Sequence, residues 1–308
     1  MKKKKKPIRI QPNGGLGNQL FALTLGYLLA ETYSANLELD CSWLLPKNVM
    51  PRDLARGFTT RTLEFDAFEL PNLRSGEPPT IVFDRFRPPV RGEIQLRRYL
   101  SQKGLLPFEY WPTPFLIDEK LLRAPISKKL KGNFMNWGYV RLAREKGVQL
   151  PDKLRQPSTW YENFSEEIAQ TKSICVHVRL DDYVRTQASI LQNPDYYLSA
   201  IRSLPESFQQ SPIWIFSDSP NEVLDFLGPE FRNMPDIRIV YSPVGSPPAE
   251  SMLLLSQASA LVASASTFSA WASIISCRDQ FVVVPKALKT LFGEEEAPSN
   301  WNEIASEL

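Results

Sequence analysis

This chain has a single histidine, His177, and that narrows its possible chemistry at once. A histidine-rich metal site is excluded, and any Ser-His-Asp or Cys-His arrangement would have to run through that one residue. It stands in Cys175-Val176-His177-Val178-Arg179-Leu180-Asp181-Asp182-Tyr183, where His177 and Arg179 alternate with apolar residues before two carboxylates. The carboxyl end of such a strand is where α/β sheets hold ligands. An arginine there pairs a phosphate through its planar fork. The plainer reading is a satisfied core histidine beside a surface ion pair. Asp181 and Asp182 imitate a metal-binding pair, but neighbours on a strand point to opposite faces and rarely chelate one ion. With Arg179 supplying a cation, no divalent metal is expected.

Three more segments have comparable potential. Gly14-Gly15-Leu16-Gly17-Asn18-Gln19 lets backbone approach a ligand closely and offers helix-start N–H groups to an anion. Ser264-Ala265-Ser266-Thr267-Phe268-Ser269-Ala270-Trp271 puts hydroxyls at another helix start, where Ser266 or Thr267 would cap the helix in any case. Ile215-Phe216-Ser217-Asp218 is an apolar run ending in one carboxylate.

The elements that must position these groups follow from periodicity. A strand over residues 8–11, the glycine turn, a helix over 19–33 and a strand over 36–40 open a Rossmann-like βαβ unit. Residues 41–125, with Pro78-Pro79, Pro88-Pro89, Pro112 and Pro114, read as loops and short elements where an acceptor could be held. A strand over 131–137 with a helix after it, then a linker over 149–162, complete the first half. Beyond it, strands at 173–179, 213–217, 237–241, 260–263 and 281–284 alternate with helices at 195–203, 221–226, 250–257 and 268–276. That is a second α/β domain with a parallel sheet. The expected domains are residues 7–150 and 163–296.

At 308 residues, with 43% apolar and 23% charged side chains, two domains with real cores are expected. The net charge of +2 hides a run of five lysines at positions 2–6, without which 31 basic residues face 34 acidic ones. Such a body does not suit nucleic-acid binding. The lysines read as a solvated end or as a weak adhesive for anionic lipid. No apolar run reaches the length of about 18 residues that a spanning helix needs. Cys41, Cys175 and Cys277 are odd in number and widely spaced, so they read as small buried residues in a reducing compartment. The expected location is the cytoplasm, with at most a peripheral membrane contact through the lysines.

Taken jointly, GGLGNQLF at 14–21, the run from His177 to Tyr183, Phe216-Ser217-Asp218 and STFS at 266–269 occur in the order and spacing of the α-1,2-fucosyltransferases. Asp195-Tyr196-Tyr197 and the stretch 252–256 also resemble that family, so the resemblance covers nearly all the chain except residues 41–125. It implies an α/β, GT-B-like architecture of two Rossmann-like domains facing across a cleft. It further implies GDP-fucose as donor, a glycan acceptor, no metal or cofactor, and inversion from a β-linked donor to an α-linked product. On that model Arg179 holds the β-phosphate, helped by Ser266, Thr267 and, at the same helix start, Phe268. His177, Asp218 and Glu250 help place the nucleotide. Gly15, Gly17 and Asn18 face the donor from the first domain, with Asn18 near the reacting sugar, and Asp182 is the candidate base by its place in the motif.

The chain departs from the family pattern HxRRGDY at Leu180 and Asp181, a local charge change of −2, and again at Ser251, Ala265 and Ala270. These departures point to weaker GDP-fucose binding, another GDP-sugar, or an inactive relative. Two rivals therefore stand beside the transferase. One is an NAD(P)-dependent oxidoreductase, supported by the βαβ start and by Asp40 at a ribose-binding position, although Leu20 stands where G-x-G-x-x-G needs its third glycine. The other is a non-catalytic nucleotide- or glycan-binding relative.

Overall fold

The computed structural model describes residues 6–45, 61–84, 92–113, 115–292 and 297–304. Lys2 to Lys5, Pro88-Pro89 and Pro114 lie outside them. The chain divides between Pro151 and Asp152 into two compact units, each with its own parallel sheet.

In the first unit, strands β1 (Ile8–Gln11), β2 (Leu37–Asp40), β3 (Thr80–Val82), β4 (Glu109–Tyr110) and β5 (Lys129–Lys131) lie in the order β3-β2-β1-β5-β4. Ile8, Ile10, Leu37, Leu39 and Leu130 are buried side chains of one alternation. Helix α1 (Leu16–Tyr33) packs on β1 and β2 and is apolar all round, so it buries 14 residues rather than one stripe. Gly26 permits that contact, because a Cβ there would lie 2.9 Å from Leu37.

The opposite alternation of the same strands is charged. Arg9 pairs with Glu38 at 2.6 Å, Lys131 with Glu109 at 2.6 Å, and Lys129 with both Asp40 and Asp84 at 2.6 Å. A parallel sheet usually buries apolar side chains on both faces. Here the second face is held by ion pairs instead.

Several expected boundaries move. Helix α1 begins at Leu16, not residue 19, because the glycine turn feeds it directly. The strand expected over 131–137 is β5, which ends at Lys131, while Trp137 opens a helix at Trp137–Glu145. Residues 41–125 hold β3 and β4, the ten-residue helix α2 (Glu93–Gln102) and a short helix at Glu119–Arg123. Helix α2 buries only Ser101.

The second unit orders its strands β8-β7-β6-β9-β10-β11: β6 (Ile174–Val178), β7 (Ile213–Ser217), β8 (Ile237–Ile239), β9 (Ala260–Val262), β10 (Phe281–Pro285) and β11 (Trp301–Ile304). Chain order runs outward from β6 in one direction and outward from β9 in the other. The switch point between them is where doubly wound sheets bind ligands, beyond the strand carboxyl ends. Helices at Thr159–Gln170 and Asp181–Arg185, and strand β11, were not foreseen. The first takes its opening residues from the expected linker. Of the cysteines, Cys41 and Cys175 are buried as expected, but Cys277 is exposed.

Candidate functional site

Arg179 stands immediately beyond β6, and Ser264 and Ser266 stand beyond β9, so both sides of the switch point carry the groups singled out from the sequence. The guanidinium is 17% exposed and is gripped by two carboxylates. Its Nε and Nη2 donate to Asp182 Oδ1 at 3.2 and 2.7 Å, and Nη1 pairs with Asp218 Oδ2 at 2.9 Å. Burial opposes the charge, but Asp218 and Asp182 outweigh it and raise the Arg179 pKa. The same burial pushes the Asp218 carboxyl up, against the pull of Arg179 and the Leu180 N–H. Tyr183 supports the arrangement: its ring lies 5.5 Å from the guanidinium, and its hydroxyl donates to Ala265 O at 3.1 Å.

His177 is buried among neutral partners. Its Nδ1 lies 2.8 Å from Ser264 Oγ, and its ring stacks on Phe268 at 5.1 Å. Ser266 caps helix Thr267–Ile275 by accepting from Phe268 N at 3.2 Å, with Thr267 as the first helical residue. Burial first, and the neighbouring Arg179 second, lower the His177 pKa to about 3. Below its usual value of 6.5 the unfolded chain takes up a proton that the folded chain refuses, so this contribution to stability is lost as pH falls from 6.5 toward 3. With one histidine in the chain, proton NMR reads it directly. The ring resonance should stay unchanged from about pH 5 to 8; a titration midpoint near the ordinary histidine value would refute the buried neutral ring.

Asp181 and Asp182 do not extend the strand. They open the short helix Asp181–Arg185, and with Asp218 they bring carboxylate oxygens within 4.8 Å of one another. The expectation that strand geometry would separate Asp181 from Asp182 is thus corrected. The three carboxylates are nevertheless already committed, Asp182 and Asp218 to Arg179 and Asp181 to Arg185. Arg185 therefore offsets the acid gained at position 181. Leu180 is 3% exposed in the core cluster that includes Tyr196 and Tyr197, while its N–H donates to Asp218 at 2.8 Å. Its side chain packs rather than facing a ligand.

Glu250 is 1% exposed in the first turn of helix Pro248–Gln257. Its two oxygens accept from Ser158 N and Ser158 Oγ at 2.8 and 2.9 Å. It ties that helix to the cap of Thr159–Gln170, a link that sequence patterning did not reveal.

The glycine turn belongs to the first unit. Gly14 adopts φ of +72°, and a Cβ there would lie 2.5 Å from the Asn18 side chain. Gly15 caps α1, Gly17 lies in its first turn, and Asn18 follows. The N–H groups expected to be open to an anion are partly taken: Glu64 accepts from Leu16 N at 2.6 Å. Gln19, fully buried, donates to Gly14 O and Thr62 O and accepts from Glu64 N. The glutamine of the motif therefore locks the 62–64 segment over the turn.

Asp40, offered as a ribose-binding acid, is fully buried. It accepts from Lys129 at 2.6 Å, Gln11 at 2.9 Å and Ser42 N at 3.1 Å. Burial alone would push its pKa up, but Lys129 and Ser42 hold it below the usual value. A ribose hydroxyl would have to displace a buried ion pair, so Asp40 does not support the oxidoreductase reading.

The model of glycosyl transferase family 11 matches residues 128–305, more than half of the chain. An α-1,2-colitosyltransferase of Escherichia coli is 24% identical over 275 residues, covering 84% of this chain and 83% of the relative. The crystal structure of the fucosyltransferase NodZ from Bradyrhizobium aligns with TM-score 0.51 at 17% identity, covering 87% of this chain and 93% of that one. The NodZ α-1,6-fucosyltransferase soaked with GDP-fucose aligns with TM-score 0.51 at 17% identity, covering 88% and 93%. These likenesses bear out the α/β, GT-B-like fold class and the family-level resemblance.

Proposed function

Because the chain belongs to glycosyl transferase family 11, we propose that it transfers L-fucose or a closely related deoxyhexose from a GDP-linked donor to a glycan hydroxyl, α-1,2 to galactose. The observation that carries this reading is the placement of Arg179 beyond β6 and of the helix start at Ser266 and Thr267 beyond the adjoining strand β9, with Tyr183 and His177 bonded across to Ala265 and Ser264. A diphosphate bound there meets a planar fork on one side and helix N–H groups on the other. When the bond between the anomeric carbon and the β-phosphate oxygen breaks, the electron pair leaves with GDP. A fixed cation stabilises that developing charge more than the ground state. The acceptor oxygen attacks the opposite face, gives an inverted linkage and loses its proton to a base on that face. Asp182 and Asp218 both grip Arg179 on the leaving-group side, so we assign them to aiming the guanidinium rather than to taking that proton. The guanidinium occupies the place a divalent cation would need, and the reaction proceeds in EDTA.

The test is incubation with GDP-fucose, and in parallel GDP-colitose, against galactose-ended glycans in EDTA buffer. Transfer that a linkage-specific α-1,2-fucosidase reverses, seen by mass spectrometry, supports the reading. GDP binding without transfer from either donor would leave the non-catalytic relative in its place. Asn18 gives a second test: Asn18→Ala should lower turnover about tenfold or more while GDP affinity stays near normal, because the GDP site is assigned to the second unit. Parallel losses in both, or in neither, would remove Asn18 from the reacting sugar.

A further inference from the structure

We propose that the first unit carries a saccharide subsite beside its edge strand β4, which holds the part of an acceptor glycan remote from the hydroxyl that receives the sugar. Its role toward an acceptor rests on the transferase reading; its saccharide chemistry rests on the cleft itself. That cleft, of about 530 Å³, opens between Tyr110, the loop that leaves β4 and the short helix Glu119–Arg123. Small-ligand sites usually fall between roughly 300 and 1,000 Å³. The loop is held in one shape. Phe115 takes φ of +61°, a costly conformation for a bulky side chain and one that recurs at ligand clamps. The start of helix Trp137–Glu145 imposes it. Buried Asn136 donates to Phe115 O at 2.8 Å, and Tyr139 accepts from Asp118 N at 2.7 Å. Tyr110 closes the other side by donating to Asp118 Oδ2 at 2.6 Å. The result is an apolar lip in water, with Leu116 61% exposed and Phe115 40% exposed.

The rest of the lining is polar and balanced. Asp118 and Glu119 face Lys120 and Arg123 in charge, while Gln102 and Thr113 add an amide and a hydroxyl. A polyanion or an anionic lipid surface calls for an excess of cations, which this lining lacks. A neutral polyhydroxyl ring matches it. Sugar hydroxyls both donate and accept, as these side chains do, and the C–H face of a pyranose covers the apolar lip. The cleft also stands at a useful distance. Asn13, just before the glycine turn, donates to Gly132 O at 2.8 Å, and a Cβ on Gly132 would lie 3.8 Å from the Trp111 ring. The turn and the loop after β4 are thereby joined through one residue. Strand β4 is two places from β1, about 10 Å at roughly 4.8 Å per strand. A sugar in the cleft is therefore a further unit of a chain whose end reaches the turn, not the accepting unit.

Acceptor length provides the test. A galactose-ended tetrasaccharide should show a KM at least about tenfold below that of a galactose-ended disaccharide, with kcat unchanged, because remote contacts act equally in ground and transition state. Leu116→Ser combined with Arg123→Ala takes an apolar contact and a charge-assisted hydrogen bond from the ligand, and should abolish that advantage. Both side chains are exposed, so circular dichroism, kcat and the disaccharide KM should stay those of the parent. A long-acceptor advantage that survives in the double variant, or none in the parent, overturns the subsite and leaves the transferase reading standing. Binding is read separately by calorimetry of the full chain with the tetrasaccharide and no donor. There the double variant should bind at least about tenfold more weakly, a loss that supports the subsite even if neither GDP-sugar is turned over. No binding by the parent, or equal binding by both proteins, overturns it.

Discussion

Arg179→Lys should lower transferase turnover on the order of 10²-fold or more, comparable to removing one donor from an oxyanion site. Lysine keeps the charge but not the fork that meets Asp182 through two nitrogens and Asp218 through a third. An ammonium can satisfy one of those carboxylates, but it then no longer presents two parallel N–H groups to a diphosphate. Leu180 is buried in the core, so the adjacent position supplies no second cation. The fold should survive the change, because lysine keeps one ion pair and the Asp218 side chain is itself partly exposed. Turnover, GDP affinity by calorimetry and thermal midpoint separate the possibilities. Near-normal turnover would make Arg179 a structural residue and remove the donor-site assignment with it. Asp182→Asn is the companion variant: it leaves the arginine in place but loosens its aim, so turnover should fall while GDP still binds.

The residues around the switch point were legible for a local reason. His177, Arg179, Asp218 and the serines each follow a short apolar run, and that pattern announces both the strand and what stands beyond it. The partners of those residues were not legible. Ser264 meets His177 across 87 positions, Ser158 meets Glu250 across 92, and Tyr183 reaches Ala265 across 82. Nothing in a polar residue's immediate neighbours states which distant group it will bond. The same limit explains Glu64, which closes on the glycine turn from 48 residues away. Asp181 and Asp182 are a different case: the pairing argument treats them as strand residues, whereas β6 ends at Val178 and a helix opens at Asp181. Helix α2 lies in the proline-rich stretch read as loops and short elements, and it buries almost nothing.

The charge inventory around Arg179 has a consequence for donor choice. Arg179 faces Asp182 and Asp218, while Asp181 is answered by Arg185. On the proposed donor site, a diphosphate would enter where the cation is already in use and would have to loosen at least one carboxylate to bind. Asp218 is the readier to yield: its side chain is 19% exposed against 7% for Asp182, and its pKa is raised by burial. The competition for the one guanidinium thus comes from Asp182 and Asp218 and not from the departures at positions 180 and 181.

The largest effect on stability should come from Lys129→Met in the first unit. Its ammonium is 14% exposed and lies 2.6 Å from Asp40, which is fully buried. Removing one partner of a buried pair costs about 3–5 kcal/mol, because the carboxylate that remains is neither solvated nor compensated. The chain contains its own reporters. Cys41 is buried next to Asp40 in the first unit, Cys175 is buried in the second, and Cys277 is exposed. Peptide-resolved alkylation should show Cys277 labelled at once in either protein. Cys41 labelling should accelerate on the order of 10²-fold or more in the variant, while Cys175 stays close to the parent rate. Asp40→Asn added to Lys129→Met should recover part of the loss, since the pair then leaves no buried charge behind. The pH dependence has a definite sign. A carboxylate held below its usual 3.8 contributes stability that is present above that value and is lost as pH falls through the folded-state value. Lys129→Met should remove that acid-side loss from the opening of the first unit. Unchanged Cys41 protection in Lys129→Met would mean that Gln11 and Ser42 alone satisfy Asp40, and that the charged face of the first sheet contributes little to holding it together.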